Sequence, residues 1–209
     1  MTMQATQAQP AAAGPPLRLH PQAAALIDQL IRLVVNDDRG ALARLRRSAG
    51  KEPGEDDGVF RYVVPYLPDP EDDRDGWVET CRYLVAALFA LHSPAPQPNK
   101  TVTPMPGDSL GAAFNRMAPQ GAGNREAIER RFAQLLVADR EELPDRLRQA
   151  IQLLRAAGEP VDWRMLLADL EQWNRPRRPV QRRWARDFWR LPEREASDTE
   201  PAAQTAATA

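Results

Sequence analysis

Within Ala127–Ala157, AIERRFAQLLVADREELPDRLRQAIQLLRAA, two amphipathic helical patterns follow one another across a short polar break. In the first, Ile128, Phe132, Leu135 and Leu136 fall at i, i+4, i+7 and i+8, a spacing that gathers apolar side chains on one helix face. Arg130 points away from that face and Arg131 lies on its flank. In the second, Leu147, Ile151 and Leu154 repeat the spacing. Arg148 and Arg155, seven positions apart, share a flank about 10 Å from each other along the axis. Each helix therefore needs a core on one side and carries guanidinium groups along an edge. What those edges face is the functional question.

The same logic extends along the chain and predicts an all-α fold, a compact bundle of about nine helices with no sheet. Pro21 opens a helix whose stripe is Leu26, Leu30, Leu33 and Val34. Asn36-Asp37-Asp38 supplies capping chemistry for Asp38–Ala49, with Leu42, Leu45 and Ala49 inward and Arg44 and Arg47 outward. Val59–Leu67 (VFRYVVPYL) has strand-like composition. Isolated between helical segments, it has no strand to pair with and reads as a short helix ending near Pro65. Trp77–His92 is the most apolar helix, with His92 at its C-terminal end, where a partly charged imidazole suits the dipole. Asp108 is expected to cap Ser109–Met117. Asp139 with Glu142 forms a capping-box pattern, Pro144 marks the first turn of the following helix and Gly158 ends it. Asp162 caps the next helix, and a last one covers Val180–Leu191 with Val180, Trp184 and Phe188 inward and Arg183, Arg186 and Arg190 opposite. No repeat of fixed period is present.

Three stretches look unable to join this core. Residues 1–20 and 192–209 are Ala-, Pro-, Gln- and Thr-rich or acidic and are expected to be disordered tails. They leave 21–191 as a single helical domain. Ser93–Gly107 carries five prolines and no apolar period, so it reads as a loop.

A net charge of -1 conceals an uneven distribution. Glu52–Asp75 holds nine acids against two arginines, whereas Leu110–Arg190 holds sixteen arginines against eleven acids. Of the 28 basic residues only Lys51 and Lys100 are lysine, a preference that suits phosphate binding but also follows from a GC-rich genome. The single cysteine, Cys81, sits in an apolar helix and excludes a disulfide framework. No signal peptide is visible and the longest apolar run, Leu84–Leu91, is too short to cross a bilayer, so a soluble cytoplasmic protein is expected.

No constellation for catalysis is legible. His20, His92 and Cys81 do not form a ligand set, no HExxH or CxxC motif occurs, and no cofactor or metal is expected. Cys81 and His92 on one continuous helix would stand about 16 Å apart, beyond any dyad. Gly107-Asp108-Ser109-Leu110-Gly111 lacks the lysine and the strand of a phosphate loop. The paired acids Asp37-Asp38 and Asp56-Asp57 suit caps better than acid catalysis.

The arginines remain. Arg46-Arg47, Arg130-Arg131, Arg177-Arg178 and Arg182-Arg183 are adjacent pairs. Several such edges in one plane would hold a polyanion without reading its sequence. Singly, each arginine is also explained as the partner of a nearby acid such as Glu126, Glu129 or Asp145; the regional excess is what favours nucleic acid. Among Trp163, Trp173, Trp184 and Trp189, only Trp189 lies off an apolar stripe, and there a protein partner suits it better than a base.

The order of DDRGALARLRR, FRYVVPY, YLVAALFALH, SLGAAF, IERRFAQLLVADREELPDRLRQAIQLL, VDWRMLLADLEQW and QRRWARDFW resembles the CasB family, the small subunit of the type I-E CRISPR surveillance complex Cascade. The likeness runs from about Leu26 to Arg190. It implies a non-catalytic helical subunit, two copies of which lie beside the backbone and large subunits and hold crRNA-guided target and non-target DNA strands during R-loop formation. R-loop exchange is nearly balanced in base-pairing energy, so protein contacts to the strands can tip it. Carried across, the resemblance marks Arg46, Arg47, Arg61, Arg130, Arg131 and Arg148, and a basic turn near Arg177 and Arg178; Arg182 and Arg183 join the set as a helix-borne pair. The tails, the acidic loops and the Pro-rich loop depart from the family pattern. The competing reading is a helical protein–protein adaptor with no nucleic-acid role.

Overall fold

The computed structural model describes residues 19–52, 55–93, 108–118 and 122–190, with backbone alone at 122–124. Residues 1–18 of the N-terminal tail, the C-terminal tail and the Pro-rich segment 94–107 lie outside the described residues, as does the C-terminal end proposed for the last helix at Leu191; Leu19 and His20 are described, and the His20 ring accepts from the Gln22 N–H at 3.4 Å at the start of α1. Nine α-helices and no strand occur among the described residues: α1 Pro21–Val35, α2 Arg39–Ser48, α3 Phe60–Val63, α4 Trp77–His92, α5 Leu110–Met117, α6 Ala122–Val137, α7 Leu143–Ala157, α8 Trp163–Glu171 and α9 Pro179–Phe188. The ambiguous VFRYVVPYL stretch is helical, with α3 set between 3₁₀ turns Asp57–Val59 and Val64–Tyr66.

The helix ends follow local chemistry. Asp38 and Asp162 each accept a bond from the backbone N–H three residues on, Ala41 and Met165, at 2.9 Å. Asp139 Oδ1 accepts from the N–H groups of Glu141 and Glu142 at 3.0 and 2.9 Å, ordering the turn into α7. Gly158 closes α7 in the left-handed conformation (φ 72°), and the Glu159 N–H reaches back to Leu154 O at 2.9 Å. One cap differs from expectation. Ser109, not Asp108, caps α5, because its hydroxyl reaches the Ala112 N–H at 3.3 Å while Asp108 turns to Arg116 at 2.6 Å.

Although the α6–α7 pair dominates the sequence pattern, α4 is the hub. Twelve of its sixteen residues are buried, and α1, α2, α7 and α8 pack around it. A helix buried on all sides carries apolar residues all round, which is why its pattern is only weakly amphipathic. The second layer is α5 against α9, with α6 bridging α7 and α9. Gly111 makes the α5–α9 contact possible: a Cβ there would stand 2.7 Å from Trp184 C and 2.8 Å from its Cα. Ser109 Oγ donates to Asp187 at 2.5 Å, and Asn115 Nδ2 donates to Asp187 O and Arg190 O at 3.2 and 3.3 Å, tying the pair together.

Two buried charges hold the layers in register. Arg82, 1% exposed, donates from Nε to Glu171 at 3.3 Å and from Nη1 to Tyr66 O. Asp169, fully buried, accepts from Arg183 and from Trp184 Nε1, the latter at 2.6 Å. Burial pushes both carboxyls, Asp169 and Glu171, above their ordinary range despite their arginines.

Candidate nucleic-acid interface

The predicted arginines separate into those engaged by the fold and those left to solvent. Arg46 belongs to the first kind. Its Nε donates to Ala90 O at 3.0 Å, and Arg155 Nη1 donates to Leu91 O at 2.8 Å, so two guanidinium groups cover the last carbonyls of α4. These carbonyls have no partner within the helix and sit at its negative pole. The arginines take the place expected of His92. That ring is buried, its Nε2 stands 2.9 Å from Glu159 O, and desolvation moves its pKa below the ordinary value. It is a neutral imidazole in the core, packed edge-on to Trp163 at 5.6 Å.

Arg148 is also engaged. It donates to Asp145 at 2.7 Å and, more weakly, to Ala49 O at 3.4 Å, linking α7 to the end of α2. Arg178 donates to Leu136 O and so covers the C-terminal end of α6. Arg183 is a correction to its place on an exposed edge: its head is drawn inward by buried Asp169 and its Nε is enclosed. A guanidinium serving a fully buried carboxylate cannot leave it for a phosphate without stranding that charge. Arg130 is exposed and only loosely paired with Glu126, at 3.7 Å.

Arg47, Arg61, Arg131, Arg177 and Arg182 are exposed, and no carboxylate among the described residues lies within ion-pair distance of them. Arg61 stacks near Tyr62 at 5.6 Å. The α8–α9 turn concentrates the most of them. Arg177 and Arg178 both have positive φ, 67° and 52°, which turns the chain sharply into Pro179. Arg182 lies one helical turn after Arg178, and Arg186 Nε donates to Arg182 O at 3.4 Å. Exposed Arg175 joins this turn and was not singled out from sequence, although counting arginines in NRPRRPVQRR would have found it. The structure therefore ties Arg46 to the end of α4 and Arg148 to the end of α2, with exposed Arg47 next to Arg46 on α2. It gathers Arg177, Arg178 and Arg182 at the α8–α9 turn, joined to the end of α6 through Arg178. Arg131 shares a small α6–α7 cleft with Arg146. Arg61 stands apart on α3.

Trp163, Trp173 and Trp184 are core residues at 3%, 2% and 0% exposure, so none is available to stack on a base. Trp189 is 44% exposed and rests edge-on against Phe188 and Phe132 at 4.8 and 5.9 Å. Cys81 is buried on α4 and its thiol pKa is pushed well up by desolvation, a state that suppresses the nucleophilic thiolate. No group of three or more metal-ligating side chains occurs among the described residues, and no described helix is long and apolar enough to cross a membrane.

Comparison with known proteins gives one answer. The family model for the CRISPR-associated protein Cse2 matches residues 41–189. The Cse2 protein of Thermus thermophilus is 35% identical over 153 residues, spanning 71% of this chain and 78% of that protein. The crystal structure of M. ruber CasB superposes with a TM-score of 0.62 at 32% identity, covering 81% of this chain and 93% of that one. A chain of a CRISPR RNA-guided surveillance complex gives 0.65 at 27% identity, covering 80% and 91%. The order of helices, the matched span and these likenesses agree, and the chain belongs to the Cse2 family, the CasB proteins of type I-E Cascade.

Proposed function

We propose that this chain is a non-catalytic small subunit of a type I-E CRISPR RNA-guided surveillance complex and stabilises the R-loop by holding opened DNA strands without regard to sequence. The observation that carries the reading is that five of the proposed arginines, Arg47, Arg61, Arg131, Arg177 and Arg182, are exposed and form no ion pair with a carboxylate among the described residues. Arg46, Arg148 and Arg178 commit part of their guanidinium groups to backbone carbonyls and can offer the rest. Arg130 can exchange a loose surface partner for a phosphate. Arg183 drops out of the set. The likeness to a chain of an RNA-guided surveillance complex supports partners of that kind, other Cascade subunits and crRNA; to these we add the backbone and large subunits, a second copy of this chain and the target and non-target strands.

The test is charge reversal of Arg47, Arg131, Arg177 and Arg182 to Glu in the assembled complex. R-loop formation should fall, and binding of the isolated chain to DNA should lose roughly four of its counterion-release steps, flattening its salt dependence. Normal R-loop formation with all four reversed would defeat the proposal.

A further inference from the structure

On another part of the surface, α2, α4 and the start of α7 enclose an open groove of about 700 Å³. Val59, Tyr83, Leu84 and Ala87 contribute to an apolar floor. The rim carries three bases, each already matched to a carboxylate. Lys51 meets Asp56 at 3.0 Å, Arg148 meets Asp145 at 2.7 Å, and Arg140 is bound to Asp75. Arg140 is further immobilised over the Trp77 ring at 4.7 Å. Glu52 and Glu141 also line the groove and have no basic partner among the described residues. The lining thus has two negative charges in excess, set within reach of the acidic stretch between residues 52 and 75.

Tyr83 lines the groove and is 6% exposed. Its ring lies 6.2 Å from Phe60, which with Val64 forms an exposed apolar ridge one turn long at α3, at 38% and 48% exposure. Apolar side chains left in water beside an apolar floor gain by being covered.

We infer that this groove docks a basic, apolar-anchored segment of a protein partner, with a large aliphatic or aromatic side chain on the floor and flanking Lys or Arg side chains facing Glu52 and Glu141. Nucleic acid does not fit: a phosphate would meet the surplus carboxylates, and of the rim bases only Arg148, at the α7 edge, also belongs to the proposed DNA set. The acidic C-terminal stretch of this chain, with Glu193, Glu195, Asp198 and Glu200, is repelled for the same reason. The surface is separate from the proposed DNA contacts at the α8–α9 turn, shares only Arg148 with the proposed DNA set, and does not depend on it.

The experiment places the photocrosslinker p-benzoylphenylalanine at Glu52 or at Glu141 of the full chain in the reconstituted complex and identifies the linked residues by mass spectrometry. Links should converge on one protein segment holding at least two Lys or Arg and a large apolar side chain. Links to nucleic acid, to residues 94–107 of the same chain or to a segment without cations would overturn the inference, and so would the absence of links. In parallel, Glu52→Lys/Glu141→Lys should weaken retention of the subunit in the complex by roughly tenfold or more, since like charges then face each other. DNA binding by the isolated variant should not fall, because the chain becomes more basic. Unchanged retention would refute the docking role while leaving the R-loop proposal intact; failure of the arginine reversals would do the opposite.

Discussion

Replacing Gly111 with alanine puts a methyl group where α5 and α9 have no room for one. The added Cβ would lie 2.7 Å from Trp184 C, 2.8 Å from its Cα and nearer still to its carbonyl oxygen. These are backbone atoms of a helix, not the tip of a movable side chain, so α9 must retreat by about 1 Å to restore carbon–carbon contact. Overpacking of this kind costs about 1–3 kcal/mol. The retreat also stretches the bonds from Ser109 to Asp187 and from Asn115 to Asp187 O and Arg190 O. Losing a hydrogen bond to a charged group adds about 1.5–3 kcal/mol. Higher helix propensity returns about 1 kcal/mol. The net expectation is destabilisation of about 1.5–5 kcal/mol, read as a lower urea midpoint at unchanged slope. Gly40→Ala on α2 is the matched control. Its Cβ would meet only Asp38 Oδ1 at 3.5 Å, so stability there should hold or rise by up to about 1 kcal/mol. If Gly111→Ala unfolds at the same urea concentration as the parent chain, the close α5–α9 crossing is wrong.

Asp169→Ala should destabilise by about 3–5 kcal/mol, because it strands the Trp184 indole N–H and the partly buried Arg183 head together; equilibrium denaturation measures it, and a loss under about 1 kcal/mol would contradict the buried pairing. His92 carries a pH signature. Its folded pKa lies below the ordinary 6.5, so the unfolded chain takes up the proton first as pH falls. The stability tied to the neutral ring is complete above pH 6.5 and is lost as pH drops through the interval down to the depressed folded value. His92→Gln keeps an N–H for Glu159 O but does not titrate, so the stability difference between parent and variant should shift toward the variant between about pH 7 and 5. A difference independent of pH would rule out a buried neutral histidine.

Much of the fold is legible from local pattern. The apolar stripes, the Asp38 and Asp162 caps and the Gly158 stop each depend on residues within a turn or two of one another, and those distances are set by helix geometry alone. The same locality explains the misreadings. Asp108 and Ser109 are both competent caps, and the choice went to Ser109 because Arg116, itself held by Glu159, draws Asp108 into a surface cluster. His92 has the local setting of a dipole partner, but its ring is buried against Trp163, a residue far along the chain.

The candidate site divides along the same line. Composition alone revealed an arginine excess between residues 110 and 190 and an acidic stretch between 52 and 75. Which guanidinium groups are free was decided only when the helices packed. Arg46 finds its carbonyl 44 residues away, Arg148 reaches one 99 residues away, and Arg183 is claimed by a carboxylate on a different helix. Helical periodicity is a property of neighbours along the chain, whereas a long flexible cation is captured by whatever acceptor packing leaves within reach. The first can be counted from the residues; the second exists only in the assembled bundle.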